Sequence, residues 1–237
     1  MNALKVNARN QKTMIWIAFI MANIYSLAYF YLVEFWPPPP PTLSAEQVVA
    51  LYAHANLQFR IGVVVMIVTG AFYTPWSIVV AIQMARDEPG IPIWAITQVL
   101  ASTIGSALFA FPPVIWGMAA FSVERAPELT LLLHEVAWLT FITPASFFSF
   151  QTFTIAVVAL SAYKKDNSSF PRWIGWLTLW TGITGTAGVM AQLFKTGPFA
   201  WNGIFPFYLP IAVFAIWLFA LGITMYRAIG RQEQAGA

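Results

Sequence analysis

Apolar positions along this chain form six long runs that contain no charged residue, separated by short polar loops. A bilayer core about 30 Å thick needs roughly 20 helical residues to cross it, and all six runs reach that length. Membrane-spanning strands would be about ten residues long and would alternate apolar with polar positions. The pattern therefore predicts an all-α integral membrane protein. Its single domain, 1–237, would have transmembrane helices at about 13–34, 60–85, 92–121, 131–162, 173–194 and 204–227.

The loop after the first run contains a weaker helical pattern. Five consecutive prolines at 37–41 end the first helix, because proline cannot continue it. Ser44 and Gln47 then have the spacing of a capping box, and apolar residues follow at helical intervals from Val48 to Phe59. We predict a short amphipathic outer helix at about 44–58. It would lie on lipid or cover the outer mouth of the bundle, and it could join the second span as one bent rod.

Prolines inside the predicted spans indicate where the helices bend. Pro75 and Pro144 lie within the second and fourth spans, where each removes a backbone hydrogen bond and frees the carbonyl four residues earlier. These two residues are predicted hinges, which either bend the helices or open a ligand cavity between them. Pro112 and Pro113 lie near the outer end of the third span, where the helix is expected to kink or break.

The composition and the placement of charges agree with a membrane protein. Apolar residues make up 59% of the chain and charged residues 9%, whereas soluble domains carry about a quarter charged residues. Nine basic and four acidic residues fall on one predicted side and three basic and five acidic on the other. The positive-inside rule then predicts a multi-pass protein of the inner (plasma) membrane with both termini cytoplasmic. Membrane lipid is an expected partner, and nucleic acid is not, because no dense basic patch occurs.

Small residues predict where helices approach each other closely. The fifth span has Thr181 with Gly185 and Thr184 with Gly188, each pair four positions apart. The third span has a similar pair in Ser102 and Ser106. Such faces pack within one chain or between chains, so a homo-oligomer or a partner membrane protein remains open.

Ionisable side chains gather at the predicted outer ends of the spans, where they are candidates for function. One interpretation is a partly buried ion pair of Glu135 with Arg60 that closes the bundle, with Glu34 nearby. Another is a proton-handling pair of His134 and Glu135, because imidazole titrates near neutral pH.

A metal or haem site would have to use His54 and His134, since the chain has two histidines and no cysteine. Both are predicted on the outer side, but His54 is expected to face water, and no spacing resembles a ligand motif. No metal site and no catalytic residue is therefore assigned, and the cofactor content is left undetermined.

Polar residues deep within the spans must find hydrogen-bond partners in the bundle. Gln98 and Gln151 would either bond to neighbouring helices or form the sparse polar lining of an apolar cavity. Phe148, in an aromatic run beside Gln151, would wall such a cavity or pack in the core.

The leading hypothesis is an inner-membrane protein that binds, and could transport, a small lipophilic molecule in a cavity opened by Pro75 and Pro144. Its outer mouth would be guarded by Glu34, Arg60, His134 and Glu135. Two alternatives stay open: a non-catalytic structural or accessory subunit of a membrane complex, and a membrane enzyme or haem protein that uses His134 and Glu135. The scarcity of acids and bases within the spans favours a binding protein over an enzyme.

Overall fold

The computed structural model describes residues 7–162 and 168–235. Within these stretches all regular structure is helical, as the apolar pattern predicts. Nine α-helices occur there: α1 Ala8–Ala28, α2 Ala45–Ala53, α3 Asn56–Thr69, α4 Tyr73–Asp87, α5 Ile93–Phe121, α6 Pro127–Ile142, α7 Ala145–Ala162, α8 Arg172–Thr186 and α9 Leu209–Ala235. A short π-helix, Tyr29–Val33, extends α1, and another, Ile204–Tyr208, precedes α9. Two 3-10 turns occur in these stretches, Gly70–Phe72 between α3 and α4 and Ala187–Gln192 after α8.

Five helical stretches in the described part of the chain are long and apolar enough to cross a membrane. They are Ala8–Val33, Asn56–Asp87, Ile93–Phe121, Pro127–Ala162 and Ile204–Ala235. The predicted span at 173–194 differs from these. Its α-helical part, α8, has 15 residues, fewer than the roughly 20 that a regular spanning helix needs. The chain then continues as the 3-10 turn Ala187–Gln192.

Both ends of the described chain lie at the same end of the bundle. Lys12 near the start of α1 forms an ion pair of 2.6 Å with Glu233 near the end of α9. Beside this pair, the Gln83 amide of α4 donates to Gln11 Oε1 at 2.8 Å, and the Gln232 amide of α9 donates to Gln83 Oε1 at 2.8 Å. Four charged residues that the sequence assigns to this side lie outside the described residues: Lys5, Lys164, Lys165 and Asp166.

The core is aromatic where α4 and α9 meet. Trp76 and Trp217 are fully buried, with ring centroids 4.9 Å apart. Each indole N–H has an acceptor: Trp217 donates to Thr178 Oγ1 at 2.9 Å, and Trp76 donates to the Leu218 carbonyl at 3.2 Å. These bonds join α4 and α8 to α9 through side chains that contribute large apolar surfaces.

Helix interruptions occur beside both predicted hinge prolines. The 3-10 turn Gly70–Phe72 separates α3 from α4 shortly before Pro75, and α6 ends at Ile142, two residues before Pro144. A proline lacks the N–H that the preceding turn needs and crowds its carbonyl, which explains both positions. The second and fourth predicted spans are therefore each made of two shorter helices.

Pro112 and Pro113 do not break their helix, so of the kink or break expected from the sequence the break does not occur. They lie inside α5, which continues for two further turns to Phe121. The Phe109 carbonyl, which Pro113 deprives of its helical partner, instead accepts a hydrogen bond of 3.0 Å from the Tyr25 hydroxyl of α1. A side chain from a neighbouring helix thus compensates for the missing backbone donor.

The helix predicted at 44–58 is shorter than expected. Ser44 and Gln47 form the predicted capping box, but α2 ends at Ala53, because the next residue, His54, has an extended backbone. Ala55 then adopts a left-handed conformation with φ 48° and precedes α3. Phe59 therefore belongs to α3, and the two helices do not form one rod. Val48 and Tyr52 are fully buried, and α2 packs against α6, so its apolar face covers one end of the bundle.

The small-residue faces pack within this chain. A Cβ on Gly188 would overlap the carbonyl oxygen of Ile142, where α6 ends, and a Cβ on Gly185 would come within 2.8 Å of the Phe148 ring. On α5, the Ser102 hydroxyl is hydrogen-bonded to that of Ser77. These contacts bring α8 and α5 close to their neighbours without any second copy of the chain.

Candidate functional site

Two adjoining cavities lie where α9 meets α5 and α6. The first, which we call the α7–α8 cavity, has a volume of about 160 Å³. The second, the α1–α9 cavity, has a volume of about 150 Å³. They are separated by four side chains that line both of them, Phe109, Phe141, Ile211 and Phe214. An engineered cavity of about 150 Å³ with apolar walls is large enough to bind benzene.

The α7–α8 cavity is opened by irregular backbone and by missing side chains. Pro144 in the break between α6 and α7 lines it, as do Pro206 and Pro210, which belong to the π-helix Ile204–Tyr208 and to the first turn of α9. Gly105 of α5 and Gly185 of α8 also line the cavity, and neither has a side chain that would fill it. Where regular helices would close the gap with side chains, proline and glycine leave it open.

The α1–α9 cavity opens at the side of the bundle, between the exposed faces of α1 and α9. Its lining includes Asn23, Ser26 and Phe30 of α1 and its π-turn, all of which are exposed, and the exposed Phe219 of α9. Trp36, which is also exposed, lines the cavity beside Phe30, with ring centroids 5.2 Å apart. The cavity is therefore open between α1 and α9.

Two separate hydrogen-bonded pairs of polar side chains lie beyond the wall of the α7–α8 cavity. The hydroxyl of Tyr73, which lines the cavity, donates to Gln151 Oε1 at 2.8 Å. Further along α4 and α5, Gln98 Nε2 donates to Ser77 Oγ at 3.1 Å. Both glutamines are fully buried, and each keeps one amide atom, Gln98 Oε1 and Gln151 Nε2, without a hydrogen-bond partner in the described part of the chain.

The structure brings some of the predicted inner residues to the cavity and leaves others away from it. Phe148 and Pro144 line the α7–α8 cavity. Gln151 contacts the lining residue Tyr73, whereas Gln98 bonds to Ser77 and lines neither cavity. Pro75 bends its span but lies outside both linings. Of the two predicted hinge prolines, Pro144 thus lines one of these cavities and Pro75 lines neither.

The predicted outer cluster is not a single site, and the expected Glu135–Arg60 ion pair is wrong. Glu135 is 3.2 Å from Lys195, which follows α8, and the Arg60 guanidinium lies over the Phe121 ring at 5.1 Å from its centroid. Glu34, in a left-handed conformation at the end of the first span, accepts a hydrogen bond of 2.9 Å from Gln58. These three residues have separate partners because they face different helices.

His134 is buried and lies in an aromatic surrounding. Its Nδ1 is 2.8 Å from the Tyr52 hydroxyl of α2, and its ring lies 6.0 to 6.3 Å from the rings of Phe35, Trp138 and Trp201. In the described chain Nε2 has no hydrogen-bond partner. Tyr52 is buried as well, and this burial raises the pKa of its hydroxyl well above the ordinary value. The hydroxyl therefore stays protonated and can act as a donor.

The two histidines do not share a site. His54 is exposed at the end of α2, whereas His134 is 1% exposed and bonded to Tyr52. No group of three or more His, Asp and Glu residues with the arrangement of a metal site occurs among the described residues. His134 therefore has a visible structural partner in α2, the helix that covers this end of the bundle.

Several cavity residues were not singled out from the sequence. Tyr73 and Phe214 look like ordinary apolar helix positions, and no local signal marks them, whereas Phe109 is one of the deep aromatic residues that the sequence offers as a possible cavity wall. Gly105 and Pro210 do carry a signal, since both are residues that disturb helix packing or helix continuity. The Gln11–Gln83–Gln232 contacts at the other end of the bundle were also missed, because they join residues that are far apart along the chain.

Comparisons add no relative from which a function could be inferred. No protein-family model, no curated protein and no solved structure matches this chain.

Proposed function

We propose that this protein binds a small, uncharged lipophilic molecule inside its helix bundle, in the α7–α8 and α1–α9 cavities. The observation that carries the proposal is the pair of adjoining cavities of about 160 and 150 Å³ with aromatic and proline walls. Binding sites for small molecules are concave, mostly apolar, and provided with a few polar groups. Here the polar groups are the Tyr73 hydroxyl on one side and the Asn23 amide on the other.

The lining favours a neutral ligand. Among the described residues that line the two cavities, none is charged. An ionised group placed there would lose its hydration without gaining an ion-pair partner, which costs several kcal/mol. A hydrocarbon-rich molecule of one or two rings matches the size and the polarity of the space.

The four side chains that line both cavities also support a second part of the proposal, that the protein transports the ligand it binds. Phe109, Phe141, Ile211 and Phe214 separate the α7–α8 cavity from the opening between α1 and α9. Rotation of the phenylalanine rings would join the two spaces. A ligand could then enter from the bilayer at one side of α9 and leave at the other.

In the same proposal the chain crosses the inner (plasma) membrane six times, with α2 on the outer side and both termini in the cytoplasm. The ion pair between Lys12 and Glu233 supports an even number of crossings, because it holds the two termini at one end. The excess of basic residues on that side supports a cytoplasmic location. Fusions of a green fluorescent protein and of alkaline phosphatase to each end test this: fluorescence and no phosphatase activity are expected at both ends.

The binding proposal is tested by native mass spectrometry of protein extracted gently from membranes. We expect a small lipophilic adduct on the wild-type protein, and a loss of most of it in Phe148→Trp. A Cβ on Gly185 would lie 2.8 Å from the Phe148 ring, so the ring has no room on that side and the larger indole must enter the cavity.

Phe150→Trp is the matched control, since Phe150 is on the same helix and its side chain is 63% exposed on the outside of the bundle. This variant should retain the adduct. Equal retention in both variants would contradict the proposed site. Wild-type protein that carries no small molecule but holds a second polypeptide would instead favour a non-catalytic accessory subunit.

A further inference from the structure

The α7–α8 cavity has one wall where a buried hydrogen-bond donor is left over. Gln151 is fully buried, and its Oε1 accepts a hydrogen bond of 2.8 Å from the Tyr73 hydroxyl. Its Nε2 has no acceptor within the described chain. Burying an amide N–H without a partner destabilises the folded state, so such groups in native proteins usually have a hydrogen-bond partner.

This amide lies directly behind the cavity wall. Gly105 and Tyr73 both line the cavity. A Cβ built on Gly105 would be 3.5 Å from the Tyr73 ring and 3.9 Å from Gln151 Oε1. The Gln151 amide therefore lies next to the cavity wall at Gly105, a residue without a side chain, although Gln151 does not itself line the cavity.

We propose that the ligand of this cavity carries a neutral oxygen acceptor, such as a ketone, quinone or hydroxyl oxygen, which accepts a hydrogen bond from Gln151 Nε2. This inference rests on the proposed function and specifies the chemical class of its ligand. The apolar part of the molecule contacts Phe109, Phe148 and Phe214, and the oxygen points past Gly105. A carboxylate is excluded from this class, because none of the described lining residues is charged.

The arrangement also assigns a role to Tyr73. Its hydroxyl donates to Gln151 Oε1, so that Nε2 is the amide atom left without a partner among the described residues. Tyr73 is thus a positioning residue for Gln151. The ring of Tyr73 is held in turn by Trp76, which stacks on it with centroids 5.2 Å apart and an interplanar angle of 15°.

The test compares two probes of nearly equal size, indane and 1-indanone, which differ by a single carbonyl group. Binding of each is measured by equilibrium dialysis against the full-length protein in lipid nanodiscs, and binding to protein-free nanodiscs is subtracted. We expect both probes to bind the wild-type protein, with a dissociation constant for 1-indanone that is roughly 3- to 10-fold lower, as one neutral hydrogen bond provides.

The informative variant is Gln151→Met made in a Tyr73→Phe background. It keeps the side-chain length and removes the donor, and the background removes the Tyr73 hydroxyl, which would otherwise lose its acceptor and be free to bind the carbonyl. It should abolish the preference for 1-indanone and leave indane binding within about twofold. Gln98→Met in the same background is the matched control, because Gln98 is equally buried but bonds to Ser77, which lines neither cavity, whereas Gln151 bonds to the lining residue Tyr73. This control should keep the preference.

The possible failures can be told apart. Equal binding of indane and 1-indanone by the wild-type protein would overturn the oxygen-acceptor inference and leave the proposed cavity function standing. Absence of binding for both probes would overturn the proposed function together with the inference. A preference that persists in Gln151→Met in the Tyr73→Phe background would show that another group binds the carbonyl. Because the comparison of probes is made on the wild-type protein, a misfolded variant does not prevent a decision.

Discussion

The Tyr25 hydroxyl of α1 donates a hydrogen bond of 3.0 Å to the backbone carbonyl of Phe109, 84 positions further along the chain. That carbonyl is the one left without a helical donor by Pro113. The same carbonyl oxygen would lie 3.1 Å from a Cβ on Gly70, so α5 also approaches the 3-10 turn Gly70–Phe72 closely. The carbonyl of Phe109 thus contacts α1 and lies close to the 3-10 turn in the second predicted span. The same residue lines both cavities.

Replacing Tyr25 by Phe should lower the free energy of unfolding by about 1 kcal/mol, because the Phe109 carbonyl then has no donor in an apolar surrounding. The measurement is denaturant unfolding in detergent micelles, followed by tryptophan fluorescence. Tyr31→Phe removes a hydroxyl from the same part of the chain, where the side chain is 70% exposed, and should change stability little. Equal effects of the two substitutions would show that the Tyr25 bond contributes nothing.

Replacing Gly188 by Ala should destabilise the protein by about 2 kcal/mol or more, because the added Cβ would overlap the Ile142 carbonyl at the end of α6. Backbone atoms on both sides would have to move apart. Gly230→Ala in α9 is the control, since no atom lies within 4 Å of the added Cβ. That change should be neutral or stabilising by up to about 1 kcal/mol, because alanine favours a helix interior over glycine. Thermal unfolding of the two variants under identical conditions separates the effects.

The Tyr52–His134 hydrogen bond should show coupling in a double-mutant cycle. Tyr52→Phe leaves His134 Nδ1 without its partner, and His134→Leu leaves the Tyr52 hydroxyl unpaired, so each should cost about 1–3 kcal/mol. The double variant leaves neither group unpaired, and its loss should be smaller than the sum of the two by about 1 kcal/mol or more. Additive losses would mean that α2 is held on the bundle by packing alone.

The start of α2 should depend on pH through Glu46. A hydrogen bond from its own backbone amide, and then one of 2.8 Å from the Ser44 hydroxyl, lower the pKa of this carboxyl below its ordinary value of 4.5. A lowered pKa in the folded state means that the stabilisation is complete above about pH 4.5 and is lost as the pH falls through the folded value.

Hydrogen exchange in α2, corrected for the intrinsic pH dependence of exchange, should therefore quicken as the pH falls below 4.5. Glu46→Gln should remove this change, because its amide does not titrate. If the variant and the wild-type protein respond alike to acid, Glu46 does not control the opening of α2.

Local patterns predicted well those features that depend on neighbouring residues. The helical class and the interruptions beside Pro75 and Pro144 follow from runs of apolar residues and from the covalent chemistry of proline. The Ser44–Gln47 cap also follows from residues three positions apart. The continuation of α5 past Pro113 could not be predicted in this way, since the donor that makes it possible is on another helix.

The candidate site was predicted only in part for the same reason. Phe148 and Pro144 could be selected as residue types that form apolar cavities, and both line one. The partners of Glu135 and His134 could not, because Lys195 and Tyr52 are about 60 and 82 positions away along the chain. No periodicity within a helix indicates which other helix lies opposite a given face.

A helical chain with long apolar segments could be recognised from residue order, because the solvent that a segment prefers depends on its own composition and length. Other features exist only in the packed bundle: Tyr25 bonds to Phe109, Tyr52 bonds to His134, and Gln151 lies next to Gly105 with an unpartnered Nε2. These contacts depend on the rotation and separation of packed helices. They arise when all the side chains are packed together, and no single segment contains that information.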